Sequence, residues 1–560
     1  MIQNEIKDYL IKVISSLEYP TNNVEVIVSN RPDLCDYQYD GLFKLAKELH
    51  RKPMEIGQNI IDNITKNENF SKVELLPPGF INFTLSDTYI NRVLNRMLNL
   101  PKYGIEMPQK VERYFLDYGG PNIAKPLHVG HLRSAIVGES IKRILEYRDY
   151  IVEADVHLGD YGLQIGQVIY GLKEEGISLD KITLEDLERI YPKMSALCKE
   201  DEKIKAKCQE ITKDMQDGNE EYNKYFKIIR EISGKDILNI YKYLNISFDY
   251  WFGESDAYPY LKDVEQDLIA KKLLYESEGA YIVDIKEPED KVELPPVIFK
   301  KSNGAYLYAS TDLATIYQRR KISKATHYIY VADNRQTNHY TSFFRVAKKL
   351  GIDIDFSYCG FGTVNDKTGK PFKTRNGKTP KLRDLFAEVR EIFLNSNDKN
   401  NDMSEKDIAI IVNAIIKFAD LQNNREKDYI FDIEKFSQTT GKTGPYTLYT
   451  YLRTNKILKN NKIDNKLNNK IYNEQDRNLR IKLLELSESL KRASELKLPS
   501  IIANYIYELC VNMNAFYENN HINNLNDEEK KKNWLTLLNL ASNILKDMLN
   551  LLIIDIPEKM

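Results

Sequence analysis

The segment Pro121-Asn122-Ile123-Ala124-Lys125-Pro126-Leu127-His128-Val129-Gly130-His131 decides how the chain is read. It follows Val111 to Tyr118, which reads as a strand. It precedes Leu132 to Tyr147, which reads as a helix with Leu132, Ile136, Ile141, Ile144 and Leu145 turned inward. A sharp turn between a strand and a helix aims backbone N–H groups and the positive end of the helix dipole at one point, where an anion is welcome. Gly130 lets the backbone approach a nucleotide closely. His128 and His131 supply hydrogen-bond donors to a triphosphate whose negative charge shifts during transfer, and Lys125 adds a cation at the same end. Two surface histidines flanking a helix start would look alike as a bare His-x-Gly-His. The strand–turn–helix setting and Lys125 favour the nucleotide reading.

Outward from this segment, strands and helices alternate from about 110 to 395, which predicts a parallel α/β sheet. His327 to Ala332 and Ile352 to Val364 supply further strands. Ahead of them, Thr183 to Asn245 is a highly charged helical stretch that reads as an insertion rather than sheet core. Residues 1 to about 105 form a separate α+β region. There Ile2, Ile6, Leu10, Val13 and Leu17 recur at helical spacing, Val24 to Ser29 reads as a strand, Asp40 to His50 as helical, and Gly79 to Phe83 as a strand, with Pro101 closing the region. From 405 to 560 the pattern is helical. Ile408, Ile411, Ile415 and Phe418 make one stripe, Ile502, Ile506, Leu509, Met513 and Phe516 another, and Leu537, Ala541, Ile544, Met548 and Leu551 a third. Such stripes belong to a bundle core. The polar run Lys456 to Lys470 reads as an exposed, partly mobile connection.

Composition sets the outer limits. A chain of 560 residues exceeds one ordinary core, so two or three domains are expected. With 42% hydrophobic and 29% charged residues it has a globular profile, and no apolar run reaches the roughly 18 residues that would span a membrane. The five cysteines, Cys35, Cys198, Cys208, Cys359 and Cys510, are odd in number and contain no CxxC pair. They read as free thiols in a reducing cytoplasm, with no protein-bound metal. A net charge of −2 leaves any polyanionic partner to be met by local basic surfaces.

The Asn122 to His131 segment resembles the Asn-Ile-Ala-Lys-Pro-x-His-x-Gly-His form of the class I signature in arginyl-tRNA synthetases. The resemblance runs along almost the whole chain. His157-Leu158-Gly159-Asp160-Tyr161-Gly162-Leu163-Gln164 is similar to the family's His-x-Gly-Asp-Trp-Gly-x-Gln segment, and Gly444-Pro445-Tyr446 with Tyr449 and Arg453 to the segment that opens its anticodon-binding bundle. It implies a Rossmann-type nucleotide-binding catalytic domain over 110–395, an α+β tRNA-binding domain over 1–105, and an all-α helical anticodon-binding domain over 405–560. The implied reaction is ATP-dependent joining of L-arginine to tRNA(Arg) through arginyl-adenylate, with Mg2+ accompanying ATP, by a cytoplasmic monomer.

The resemblance also assigns residues. Tyr308 and Asp312, four apart and so on one face if a helix begins there, match the arginine-binding pair. A guanidinium is a planar fork that carboxylates pair with bidentately. Asp117 matches a second acidic position, and Asn122 and Gln336 match positions at the α-amino end. Lys125, His128, Gly130 and His131 match the catalytic signature, and Gly159 and Asp160 an ATP contact. Phe372-Lys373-Thr374-Arg375-Asn376-Gly377 stands where a Lys-Met-Ser-Lys-Ser loop is usual, leaving Lys373 and Arg375 as phosphate contacts and Lys125 as the family's compensating lysine. Phe80 and Asn82 match residues that meet a splayed-out RNA base, and Tyr449 and Arg453 further tRNA contacts. Gly119-Gly120, Val156 and Tyr161 depart from the family pattern without removing a charged site position. Two other classes stay open: a nucleotidyltransferase acting on a small metabolite, and a catalytically dead relative that binds tRNA.

Overall fold

The computed structural model describes the chain apart from residues 1, 65–66, 291–293, 303, 373–380 and 397–401. The chain divides into two units. One is Met1–Met107 with Thr447–Glu495 and Asn504–Met548; the other is Pro108–Tyr446 with Leu496–Ala503 and Leu549–Met560.

In the first unit the helix Ile2–Ser16 buries Ile2, Ile6, Leu10, Val13 and Ile14, the stripe its spacing predicts, while Leu17 falls just past its end. Four strands, β1 (Val26–Val28), β2 (Tyr37–Tyr39), β3 (Phe70–Leu76) and β4 (Phe80–Leu85), form an antiparallel sheet in the order β1-β2-β4-β3. The helix Asp87–Asn99 starts where Ser86 accepts the Tyr89 N–H. The helices Glu474–Leu484 and Leu486–Leu496 belong to the same unit. Their tie to the sheet is polar: Arg477 pairs both Nη atoms with Asp36, at 2.9 and 2.7 Å. Behind it Arg480 is fully buried, 2.6 Å from Asp476 and bonded to Asn91, while Trp534 donates to Asp476 at 3.0 Å. A buried guanidinium is tolerable only with such partners. The run Lys456 to Lys470 is largely exposed, as expected, but is held at particular points. The helix Gly444–Lys459 takes its first residues, and Leu467 is fully buried with its backbone held by Asn95 at 3.0 and 2.8 Å. Composition marked this run as solvated, but one apolar residue and one asparagine suffice to pin it.

The second unit carries the parallel sheet. Strands β5 (Arg113–Tyr118), β6 (Ile151–Asp155), β10 (His327–Val331) and β11 (Asp355–Tyr358) run parallel in the order β11-β10-β5-β6. Phe115, Leu116, Ala154, Tyr328, Ile329 and Tyr330 are buried, as a sheet covered on both faces requires. The helix Val129–Tyr147 links β5 to β6, and Gly138 lets it lie against the sheet: a Cβ there would sit 2.2 Å from the Tyr118 ring. The chain then turns to the other side of β5 to add β10. Loops leaving β5 and β10 therefore diverge, and the crevice between them is where open α/β sheets bind ligands. Ser134 braces that fork, accepting the Gly119 N–H at 2.8 Å and donating to the Val331 carbonyl at 2.7 Å.

The charged insertion is three helices, Leu184–Glu200, Glu202–Gln216 and Glu220–Tyr243, without a strand. Thr183 and Asp186 form a capping box at its entry. An antiparallel meander of β7 (Leu274–Ser277), β8 (Ala280–Val283) and β9 (Val297–Lys300) follows, which sequence pattern did not reveal. The helix Glu405–Leu421, read from its stripe as bundle, lies in this unit, where buried Asp420 meets buried Arg133 at 3.3 Å. All five cysteines are free and buried. Among the described residues no helix is long and apolar enough to cross a membrane.

Candidate active site

A cavity of about 530 Å³ opens at the fork of β5 and β10. It is lined by Asp117, Asn122, His128, Gly130, His131, Gly159, Tyr308, Asp312 and Gln336, nine residues singled out from the sequence. Asp117 ends β5, Asn122 to His131 form the turn into the next helix, and Gly159 follows β6. Tyr308 and Asp312 open the helix Tyr308–Ile322, so they share a face as their spacing predicts. Gln336 ends a short turn after β10.

Hydrogen bonds fix the chemistry of the histidine end. His128 Nδ1 accepts the Gly130 N–H at 3.1 Å, and His131 Nδ1 accepts the His128 N–H at 3.2 Å. An Nδ1 that accepts carries no proton, so each neutral ring bears its hydrogen on Nε2 and offers it as a donor. Burial, then the neighbouring His128 and Lys125, lowers His131 to about 3; burial and Lys125 lower His128 as well. Both rings are neutral donors at neutral pH. Their centres lie 3.9 Å apart with the planes tilted by 31°, and a Cβ on Gly130 would come within 3.0 Å of the His128 ring. Gly159 is equally constrained, since a Cβ there would lie 2.3 Å from Asn122 Oδ1.

The opposite end is acidic, and Asp117 and Asp312 each have a resident partner. Asp117 Oδ2 lies 2.6 Å from Arg319, which also holds Asp155 at 2.9 Å. Arg319 is fully buried, so this clamp is a fixed part of the floor. Burial raises Asp117 even against the Arg319 charge. Asp312 Oδ2 pairs with His339 Nε2 at 2.6 Å. Burial would lower His339, but the bond and charge of Asp312 prevail and raise it. His157 stands 3.6 Å from Asp155, an ion pair too long for a hydrogen bond. Burial alone would lower His157; Asp155 and Asp117 outweigh it and raise it to about 9. Glu254 is raised to about 7 by burial and by the charges of Asp160 and Asp312.

Glu254, His157, His339 and Arg319 escaped assignment from the sequence. His157 stood inside a quoted motif, but the others follow no local pattern: Arg319 meets Asp117 across 202 positions. Asp160 lies apart from the other residues singled out for the site. It is fully buried outside the cavity, 3.0 Å from Arg230 and bonded to the Ser255 N–H and hydroxyl, so its carboxylate secures the turn that carries Glu254. Lys125 stands beside the cavity, its Nζ 4.9 Å from the centre of the Tyr191 ring. Lys373 and Arg375 lie outside the described residues.

In the first unit, Phe80 is half-buried with its ring edge-on to Phe43 at 5.7 Å. Asn82 is only 2% exposed and accepts from Gln38 at 2.8 Å, so the amide edge expected to face RNA is turned into the sheet. Tyr449 is exposed, and Arg453 lies over the Tyr517 ring at 4.0 Å. Among the described residues no group of His, Cys, Asp and Glu is arranged to hold a metal ion.

A parallel sheet with a nucleotide-type turn at its switch point, feeding a helical C-terminal segment, defines a class I aminoacyl-tRNA synthetase architecture. Family models divide the chain accordingly: an arginyl tRNA synthetase N-terminal domain over residues 1–85, a class I (R) tRNA synthetase catalytic domain over 92–433, and a DALR anticodon binding domain over 447–560. An arginine–tRNA ligase of Agathobacter rectalis is 38% identical, with 100% of this chain and 99% of the relative covered. One of Alkaliphilus oremlandii is 36% identical over 100% of both. The crystal structure of arginyl-tRNA synthetase from Plasmodium falciparum superposes with a TM-score of 0.81 at 26% identity, covering 100% of this chain and 99% of that one. The chain belongs to the arginyl-tRNA synthetase family and is an arginine–tRNA ligase.

Proposed function

We propose that the β5–β10 cavity is where L-arginine and ATP react, and that the carboxylates of Asp312, Asp117 and Glu254 select the guanidinium. The observation that carries this reading is the polarity of one cavity: neutral imidazole donors at one end, acids at the other. The arginine carboxylate attacks the α-phosphorus of ATP, which enters with Mg2+ as part of the substrate, and pyrophosphate leaves. The terminal adenosine of tRNA(Arg) then attacks the acyl carbon through its 2′-hydroxyl, releasing AMP. His128 and His131 donate Nε2–H bonds to phosphate oxygens as their charge grows, with Lys125, Lys373 and Arg375 as cations. Tyr308 flanks the guanidinium, while Asn122 and Gln336 hold the α-amino group. No general base is assigned, because positioning and charge stabilisation suffice.

Residues 1–105 and the C-terminal helices from about 447 serve as tRNA-binding domains, with Phe80, Tyr449 and Arg453 as contacts; the domain models matched over 1–85 and 447–560 support this. The enzyme acts as a cytoplasmic monomer, and five free thiols fit a reducing compartment.

Calorimetric titration with arginine and citrulline tests the pocket. Citrulline has nearly the shape of arginine without its charge, so a carboxylate pocket should bind arginine and leave citrulline undetected. A site built to hydrogen-bond a substrate's polar group rejects the analogue lacking that group by roughly 10⁴–10⁵-fold. Comparable binding of both would contradict the assignment.

A further inference from the structure

The helix Leu184–Glu200 belongs to the insertion, yet two of its side chains reach the nucleotide end of the site. Tyr191 places its ring under Lys125, with Nζ 4.9 Å from the ring centre. Three positions earlier, on the same helical face, Glu188 pairs with Lys381 at 2.7 Å. Lys381 in turn bridges the backbone of His128, and the Leu382 N–H donates to the Leu127 carbonyl at 2.9 Å. One helix face therefore meets the signature turn at its lysine and grips the strand of chain that lies against its histidines.

We infer that Tyr191 is a positioning residue for ATP activation, holding Lys125 by its ring face so that the ammonium is aimed at phosphate without being neutralised. The choice of an aromatic ring is physical. A carboxylate at this position would fix the lysine but compete with the triphosphate for its charge. A ring face attracts the cation through its quadrupole and leaves the N–H donors available. Among the described residues no carboxylate forms an ion pair with Lys125, which matches this division of labour. The inference rests on reading Lys125 as an ATP contact, so the test separates the two.

Charging kinetics at varied ATP and saturating arginine should be compared for wild type, Tyr191→Phe, Tyr191→Leu, Lys125→Met and the double variant Lys125→Met/Tyr191→Leu. A cation–π contact of partly buried groups corresponds to roughly two- to thirtyfold in rate. Tyr191→Leu should lower kcat/KM for ATP within that range and leave the KM for arginine unchanged. Tyr191→Phe should stay within about twofold of wild type, and Tyr191→Leu should add nothing in the Lys125→Met background. A series of progressively fluorinated phenylalanines at position 191 keeps the shape while draining the ring face, so folding does not cloud the result. ATP use should fall stepwise along it. A flat series, or a full additional loss in the double variant, overturns the role of Tyr191. If Lys125→Met slows ATP use while both Tyr191 tests are silent, only this inference fails; if Lys125→Met is itself silent, the reading of Lys125 falls with it.

Discussion

Replacing Asp312 by Asn changes one charge and almost no volume, which isolates what the arginine pocket is built to do. The Asp312 side chain is 28% exposed, so it is neither a surface acid nor a sealed one. Exposed ion pairs contribute up to about 1 kcal/mol, whereas truncating one member of a buried, hydrogen-bonded charge pair costs roughly 2–5 kcal/mol. With about a quarter of its surface reached by solvent, Asp312 belongs toward the lower half of the buried range, about 2–4 kcal/mol. That converts to a loss of roughly 30- to 1000-fold in kcat/KM for arginine. The asparagine also faces His339, whose raised pKa depends on the Asp312 carboxylate, so the variant loses the resident pair along with the substrate's partner. Steady-state charging with arginine varied at saturating ATP and tRNA measures the effect, with tRNA affinity from a gel-shift titration as the control. Arginine use should collapse while tRNA binding holds. A change of less than about threefold in arginine kcat/KM would refute the pocket, since a charge-bearing contact cannot be worth so little there.

Other consequences follow from the same geometry. Because burial, His128 and Lys125 hold His131 near 3, its ring keeps its charge state between pH 5 and 8, and kcat/KM for ATP should show no inflection from it; a break near pH 6 that vanishes in His131→Asn contradicts the neutral-donor account. His157 is raised from 6.5 to about 9 in the folded chain, so its stabilisation is complete below pH 6.5 and is lost as pH rises through 9. In urea unfolding, the advantage of wild type over His157→Gln should therefore shrink by about 3 kcal/mol between pH 6 and 10, and a constant gap would show that the ion pair with Asp155 is not what holds it. Gly159→Ala puts a methyl 2.3 Å from Asn122 Oδ1 and should displace that amide, costing about 1–3 kcal/mol. An unchanged melting temperature and arginine KM would mean that Asn122 has no fixed role.

The sequence disclosed the parts of the site that are local. Asn122 to His131 was legible because a strand, a turn and a helix follow one another between Arg113 and Tyr147, and Tyr308 with Asp312 because helical spacing alone places them together. What stayed hidden depends on chain returns that no window spans. Arg319 is an ordinary helix cation until β5 brings Asp117 to it, and Glu254 is an unremarked acid until Asp160 pins its turn below the cavity. Motif membership did not foretell the surroundings of two residues, for the same reason. Asp160 and Asn82 each match a functional position, but the fold spends both side chains internally, on Ser255 and Gln38. The tie of the N-terminal sheet to the C-terminal helices was equally out of reach, since Arg477 and Asp36 lie 441 positions apart.

The central claim is that this cavity activates arginine and no other amino acid for transfer to RNA. It is tested most directly by incubating the purified chain with ATP, Mg2+, total tRNA and each of the twenty amino acids in turn, and measuring acid-stable charging. Charging with arginine alone is the expected result. No charging with any amino acid, while tRNA still binds, would contradict it and mark a chain that kept the synthetase fold without its chemistry.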